Sequence, residues 1–280
     1  MSAQTILITG ATDGLGSALA REVAGLGANV LLHGRDSARV EAMRQEISEA
    51  TGKRELRCYV ADLADLAQVR RLAEEITQTC DRLDVLVNNA GIGGGPRDRA
   101  RRETSRDGYE LRFAVNYLAS FLLTETLLPL LDRSGSGKDA PARVVNVASV
   151  GQAPIDFDDV MLERGYDSMR AYAQSKLAMI TWGFDLAERC DPARVTVNSL
   201  HPATLMDTKM VTEWFGYTMS TVAEGTEATL RLVTAEELDG VTGRYFDGKR
   251  EARADAQAYD PAARRRLREL SERLTGTETS

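Results

Sequence analysis

A doubly wound α/β domain built on a mostly parallel sheet is the architecture this 280-residue sequence predicts, and three observations predict it. First, six short apolar runs recur: Ile6-Leu7-Ile8, Val30-Leu31-Leu32, Leu56-Arg57-Cys58-Tyr59-Val60, Val85-Leu86-Val87, Val144-Val145-Asn146-Val147 and Val195-Thr196-Val197. Their length and near-continuous hydrophobicity suit parallel strands buried on both faces. Second, stretches of helical periodicity lie between them, at 18–26, 40–49, 69–80, 113–131 and 169–189. Such alternation requires right-handed crossovers, which lay helices on both faces of the sheet. Third, a glycine-rich turn follows the first strand directly, which makes the domain Rossmann-like.

The composition narrows the class. Hydrophobic residues are 43% of the chain and charged residues 28%, which excludes disordered, collagen-like and disulfide-scaffold proteins. Lys and Arg number 35 against 42 Asp and Glu, a net charge of −7. A nucleic-acid partner is therefore not expected, since a phosphate-binding face needs an excess of basic residues. Cys58, Cys80 and Cys190 are few, odd in number and widely spaced, which fits a reducing compartment. The two histidines, His33 and His201, lack metal-ligand spacing, so no metal centre is expected. The strand-like opening Gln4-Thr5-Ile6-Leu7-Ile8-Thr9 and the lack of an 18-residue apolar run lead us to expect a cytoplasmic protein with no membrane partner.

The turn after the first strand reads Thr9-Gly10-Ala11-Thr12-Asp13-Gly14-Leu15-Gly16 and runs into helical sequence. Gly10 permits the tight turn, Gly14 lets backbone approach a pyrophosphate, and Gly16 lets the helix pack on the sheet. The N-terminus of that helix faces the anion. At the end of the second strand the chain reads His33-Gly34-Arg35-Asp36. Where NAD sites place a carboxylate for the ribose 2′-hydroxyl, Arg35 offers a planar cation suited to a 2′-phosphate, which favours NADP(H) over NAD(H). Read structurally, the same residues are a solvated Arg35 and a helix capped by Asp36 or Ser37. The loop 92–107 carries three glycines and then Arg97, Arg99, Arg101, Arg102 and Arg106, and is expected to be exposed and solvated.

Two tyrosines are followed by lysine at the fourth position. Tyr172 and Lys176 fall in a helix, so both side chains lie on one face and the ammonium is expected to lower the phenol pKa toward neutrality. Tyr245 and Lys249 span a turn, and their side chains are expected to diverge. Ser149 follows the strand at 144–148, at the carboxyl end where open parallel sheets form their ligand crevice. Asn116 interrupts an apolar helix, where an amide is unfavourable unless it kinks the helix, satisfies the core or serves a site.

With these residues in order, the chain resembles the short-chain dehydrogenases/reductases, in their single-domain form, over nearly its whole length. The resemblance rests on TGATDGLG at 9–16, Asp62-Leu63 after the third strand, NNAG at 88–91, Asn116, Ser149 and YAQSK at 172–176. The stretches at 107–124 and 166–178 look most like the retinol-dehydrogenase-like branch. It implies one domain over 1–280, with 1–150 mainly binding cofactor and 151–280 supplying the catalytic helix, a substrate lid and a C-terminal helix. It further implies that Tyr172 is the general acid/base, that Ser149 orients the carbonyl or alcohol, and that Lys176 binds the nicotinamide ribose while lowering the Tyr172 pKa. Asn116 would hold a relay water. Gly10, Thr12, Asp13, Gly14, Leu15 and Gly16 would cradle the pyrophosphate, Asp62 and Leu63 would contact adenine, and Asn89, Ala90 and Gly91 would line the adenosine side. The family's Pro-Gly after the sixth strand is here Pro202-Ala203, with Thr208 six residues beyond the proline and one later than usual. Pro202 and Thr208 are still expected near the cofactor.

The implied activity is interconversion of an aldehyde or ketone with an alcohol on a hydrophobic small molecule. An epimerase or dehydratase of the longer sister group would need another substrate domain, and an idle NADP-binding sensor or scaffold would more naturally have lost Ser149, Tyr172 or Lys176. Leu205, Met206, Met210, Trp214, Phe215, Tyr217 and Met219 fall where a lid would lie, with Gln152, Ile155 and Tyr166 as further pocket residues; equally, these apolar side chains would pack a covering helix. The segment 261–274 reads as a charged amphipathic helix. The resemblance also implies a homodimer or homotetramer paired through helices near 108–131 and 168–190.

Overall fold

Apolar residues at successive positions of one short strand point to opposite faces, and both faces are buried in the expected strands except the one at 57–60, where Val60 is 53% exposed. The computed structural model describes residues 3–52, 56–94, 101–136 and 140–277. All six expected strands form: β1 (Thr5–Ile8), β2 (Asn29–Gly34), β3 (Arg57–Val60), β4 (Val85–Asn88), β5 (Ala142–Val147) and β6 (Val195–His201). Two more, β7 (Arg244–Asp247) and β8 (Arg250–Ala252), lengthen the sheet. The order is β3-β2-β1-β4-β5-β6-β7-β8, and the β7–β8 pairing is antiparallel in an otherwise parallel sheet. Strand order reverses between β1 and β4, so the ligand crevice opens outside their carboxyl ends.

The helices are α1 (Gly14–Gly25), α2 (Ser37–Thr51), α3 (Leu66–Thr79), α4 (Leu111–Phe113), α5 (Ala119–Gly135), α6 (Ser168–Arg189), α7 (Lys209–Phe215), α8 (Val222–Thr234) and α9 (Pro261–Thr275). Asp13, Asp36, Asp65, Asp167 and Asp260 cap α1, α2, α3, α6 and α9, each accepting from a first-turn N–H; such caps contribute about 1 kcal/mol apiece. One face of the sheet, with Ile6, Ile8 and Leu32, meets Leu19 of α1, Ile47 of α2 and Leu232 of α8. The other, with Leu7, Leu86 and Val144, meets Ile76 of α3, Phe121 of α5, Trp182 of α6 and Leu267 of α9.

Three expectations change. The helix expected at 113–131 spans Leu111–Gly135 and is long and apolar enough to cross a membrane, contrary to the sequence reading, but 72% of its apolar window is buried inside the protein. It is a core helix, interrupted by a π turn at Ala114–Leu118. The pairing of α6 with a second copy finds no free helix face, because every residue of α6 from Gln174 to Ala187 is buried within one chain. Helix α9 covers it: Arg268 Nη1 donates to Asp185 at 3.0 Å, and Ser271 bonds the Tyr117 hydroxyl beside it. Finally, in the arginine loop Arg102 is not simply solvated but donates to the Met161 carbonyl at 2.9 Å, while Arg101 and Arg106 are exposed as expected and Arg97 and Arg99 lie outside the described residues.

His33, on β2, is 2% exposed and spans the sheet end. Its Nδ1 accepts from Gly10 N at 3.3 Å and its Nε2 lies 3.1 Å from the Ala61 carbonyl, an arrangement that only the neutral Nε2–H tautomer satisfies. Burial pushes its pKa down to about 4. Because the unfolded imidazole takes a proton first, stability should fall as pH drops from the usual 6.5 toward about 4, by on the order of 3 kcal/mol from this residue. Urea unfolding of the wild type and His33→Gln across that window checks it: the wild type should lose stability more steeply, and parallel curves would remove the pin.

Candidate active site

The glycine turn is held by contacts that exclude side chains. Gly10 and Gly14 have φ of +66° and +47°, which an L side chain rarely adopts. A methyl on Gly16 would stand 2.2 Å from the Gly10 carbonyl oxygen and 2.5 Å from Asn89 Nδ2. Asn89 Nδ2 donates to the carbonyls of Thr9 and Gly10 at 2.8 and 3.3 Å, and the N–H groups of Asn89 and Ala90 both donate to the Thr9 hydroxyl at 3.0 Å. The two sequence motifs are thus one object, the carboxyl ends of β1 and β4 bonded together. Asp13 takes the Gly14 N–H at 2.8 Å, which leaves the Leu15 and Gly16 N–H groups of the first turn aimed at an anion. These features fit the pyrophosphate of a dinucleotide.

Around that turn the remaining expected cofactor residues assemble. Thr12 packs on Gly34, Thr208 packs on Gly14, and Pro202 and Leu15 close on Gly225 of α8. Thr208 also caps α7 through Val211 N at 3.3 Å, so the shifted threonine still reaches the glycine turn. Asp62 accepts from Ala64 N at 3.0 Å, and Leu63 is 6% exposed. Arg35 is exposed and makes no ion pair among the described residues. Sequence reasoning missed Arg39, one turn further on, whose Nη2 pairs with Asp13 Oδ2 at 2.9 Å and donates to Thr12 O at 3.2 Å. That guanidinium holds the Asp13 carboxyl below its ordinary pKa, and a basic residue four positions after Arg35 was the available signal.

Ser149, Tyr172, Lys176 and Asn116 meet at the carboxyl end of β5. Asp167 starts α6 by accepting from Arg170 N at 2.7 Å, and Tyr172 and Lys176 then share one helix face. The Lys176 ammonium, 4% exposed, donates to the Val147 carbonyl at 2.8 Å and lies 5.8 Å from the Tyr172 ring centroid. Burial lowers its pKa to about 8. Burial also raises the Tyr172 phenol, while a hydrogen bond with the Ser149 hydroxyl pulls it back. The expected lowering of Tyr172 toward neutrality by Lys176 is not what this packing produces: desolvation raises the phenol, and the influence that opposes it is the Ser149 hydrogen bond.

The Ser149 hydroxyl accepts from Gly151 N at 3.0 Å, and its carbonyl accepts from Gln152 Nε2 at 2.9 Å and from the Tyr245 hydroxyl at 3.0 Å. Gln152 thus acts behind the serine; Ile155 is 4% exposed in the core and the Tyr166 hydroxyl is bonded to Glu110, so none of the three simply lines a pocket. Tyr245 and Lys249 do diverge, with Lys249 paired to Glu227. Asn116 sits in the π turn, its Oδ1 taking Ile92 N at 2.8 Å and its Nδ2 giving to Ile92 O at 3.1 Å and to Ser175 Oγ at 3.0 Å. The amide expected to hold a relay water is committed to protein on both atoms. In the lid region Met210, Tyr217 and Met219 are 40%, 58% and 68% exposed, while the Trp214 indole meets the Tyr172 ring edge-on at 5.2 Å. Gly16→Ala should cost roughly 1–3 kcal/mol through overpacking, checked by thermal unfolding; unchanged stability would refute the close approach.

Three comparisons relate the chain to known proteins. Residues 4–216 fit the family model described as short chain dehydrogenase. Human retinol dehydrogenase 14 is 37% identical over 99% of this chain and 87% of its own length, and mouse retinol dehydrogenase 13 is 35% identical over 98% and 84%. A crystal structure of an uncharacterized protein from Mycobacterium Paratuberculosis superposes with a TM-score of 0.78 at 30% identity, covering 99% of this chain and 95% of that one. A Shigella flexneri short chain dehydrogenase complexed with NADP follows at 0.71 and 28%, covering 88% and 97%. The chain therefore belongs to the short-chain dehydrogenases/reductases, in the retinol-dehydrogenase-like branch, as an oxidoreductase acting between CH–OH and C=O groups.

Proposed function

We propose that the chain interconverts an aldehyde or ketone and its alcohol on an apolar small molecule with NADP(H), using Tyr172 as proton donor and acceptor. The observation that carries the reading is the convergence of the Ser149 hydroxyl, the Tyr172 phenol and the Lys176 ammonium at one end of β5. A bound nicotinamide dinucleotide supplies or takes the hydride. The chain's own residues do the rest. Ser149 binds the substrate oxygen, its hydroxyl aligned by Gly151 N–H and its backbone held by Gln152 and Tyr245. Tyr172 stays protonated well above neutral pH because of burial, which suits a phenol that delivers a proton to a developing alkoxide in reduction. Lys176 carries positive charge beside that phenol and would hold the nicotinamide ribose hydroxyls. Asn116 keeps the Ile92 backbone and Ser175 in place between β4 and α6. Gly10, Thr12, Asp13, Gly14, Leu15, Gly16, Asp62, Leu63, Asn89, Ala90, Gly91, Pro202 and Thr208 would hold the dinucleotide.

The exposed Arg35 supports NADP(H) as the partner, and so does Arg39, which neutralises the Asp13 carboxylate that would otherwise repel a 2′-phosphate. The Shigella relative's NADP is consistent with this choice. An apolar substrate is supported by Met210, Trp214 and Phe215 on α7 beside Tyr172. The three free cysteines support a reducing, cytoplasmic setting. Self-association, where it occurs, would use a surface other than α6.

Tyr172→Phe should lower aldehyde-dependent NADPH oxidation by at least ~100-fold while NADPH fluorescence titrations stay near wild type; retained turnover would reassign the proton donor. Arg35→Ala should weaken NADPH relative to NADH by ~10-fold or more, the worth of a charged hydrogen bond, and equal losses for both would remove Arg35 from 2′-phosphate recognition. Since Lys176 loses its charge as pH rises through about 8, log kcat for reduction should be level below that pH and decline above it. A profile still level at pH values two units higher would show that the charge is not used.

A further inference from the structure

Arg112 lies one helical turn before Asn116 and is 5% exposed, with Glu110 beside it at 1%. All three nitrogens of its guanidinium donate to protein. Nε donates to the Gly93 carbonyl at 3.0 Å, Nη2 to the Gly94 carbonyl at 2.9 Å, and Nη1 to the Tyr166 hydroxyl at 2.7 Å, with Glu110 Oε1 at 3.4 Å. Tyr166 in turn donates to Glu110 Oε1 at 3.0 Å, and Glu110 Oε2 takes the Phe113 N–H at 2.7 Å. A buried ion cluster of this kind is a poor way to gain stability, since apolar side chains of the same volume commonly serve as well. What it does secure is geometry: residues 112 and 116 of one helix staple the consecutive backbone units 92, 93 and 94.

That backbone is a bare shelf, and the Trp214 indole lies on it. A methyl on Gly94 would stand 2.5 Å from Trp214 Cζ2, and one on Gly93 would stand 3.1 Å from Trp214 Cε3. The indole also meets the Tyr172 ring edge-on, centroids 5.2 Å apart at 79°. A rigid line of contact therefore runs from the Arg112 guanidinium through two glycines and one indole to the phenol proposed to move the proton.

We propose that Trp214 is the specificity-determining wall of the carbonyl pocket, and that Arg112 is the positioning residue that sets where the wall stands. The inference rests on the carbonyl-reduction reading above. The indole takes up space at the Tyr172 ring, so a substrate reaches the phenol only if the group next to its carbonyl is flat or unbranched. Aldehydes and ketones with an unbranched apolar substituent are accepted, and those branched beside the carbonyl are refused.

The experiment compares propanal with pivalaldehyde, which differ in branching at the carbon next to the carbonyl, in wild type, Trp214→Ala, Gly94→Ala, Arg112→Met and Arg112→Lys. Iodide quenching of tryptophan fluorescence gives a second readout, because Trp182 is 1% exposed and quenching therefore reports Trp214. Trp214→Ala should raise kcat/KM for pivalaldehyde relative to propanal by ~10-fold or more, the discrimination an apolar pocket achieves. Gly94→Ala and Arg112→Met should move the ratio the same way by about threefold and increase quenching, with the change mainly in KM and NADPH affinity within about twofold of wild type. Arg112→Lys, which keeps the charge but not the fork, should lie between Arg112→Met and wild type. An unchanged aldehyde ratio with unchanged quenching, or equal loss toward both aldehydes, overturns the proposal. If Arg112→Met does not fold, Gly94→Ala decides, since its backbone lies outside the positive-φ glycines. If wild type reduces neither aldehyde, the reduction of small aldehydes fails while the positioning role does not, and quenching in Gly94→Ala and Arg112→Met decides whether Arg112 sets the place of Trp214: increased quenching supports it and unchanged quenching overturns it.

Discussion

The approach of Gly16 to the Gly10 carbonyl, closer than any side chain permits, is the contact around which the cofactor end of the molecule is arranged. Helix α1 sits on the sheet only because nothing projects from Gly16, and its first-turn N–H groups consequently face the crevice at the β1–β4 reversal. Asn89 and Thr9 then bond the turn to the end of β4, which carries the chain on to Gly91 beside Asn116 and Lys176. Displacing this contact would shift both the anion cradle and the floor of the proton-transfer site, because they are successive stretches of one bonded backbone.

At the other end of the crevice, chemistry is tuned by desolvation. Burial raises the Tyr172 phenol and lowers the Lys176 ammonium, so each is pushed toward its neutral form. The Ser149 hydrogen bond opposes this for the phenol, and the Val147 carbonyl gives the ammonium an acceptor. Ser149 is held from behind by Tyr245 and Gln152, which come from different parts of the chain. Precision at the serine thus depends on β7 being added to the sheet, which brings Tyr245 into register with Ser199 on β6.

The C-terminal third closes surfaces that the first six strands leave open. The short antiparallel β8 ends the sheet with Arg250, Glu251 and Ala252, a brief charged edge that resists further strand pairing. Helix α9 covers α6 and reaches the π turn through Tyr117, with Leu267 fully buried and Tyr109 donating to the Leu274 carbonyl at 2.8 Å. The Trp182 ring stands edge-on to Phe121 and Tyr117 beneath it. A single chain thereby buries helix faces for which a second copy had been the expected partner.

Local periodicity and spacing were enough to read the first six strands, the glycine turn, the Tyr172–Lys176 face and the helix at 261–274, because each is stated by neighbouring residues that share one strand or one helix. Arg39 and Arg112 left a faint signal, as basic residues at one-turn spacing from Arg35 and Asn116, but spacing does not say which acceptor a guanidinium will find. The bonds of Asn116 to Ile92 and Ser175, the bond from Tyr245 to Ser149, the seat of Trp214 on Gly93 and Gly94, and the covering of α6 by α9 all join segments distant in sequence. The pKa directions likewise follow from how deeply packing buries each group, which no local pattern encodes. The sequence by itself determined the fold class and the chemical groups of the site, since those follow from backbone periodicity and residue type. Only the tertiary structure decided how those groups are held, screened from water and walled, since these depend on contacts between segments that meet only when the chain is folded.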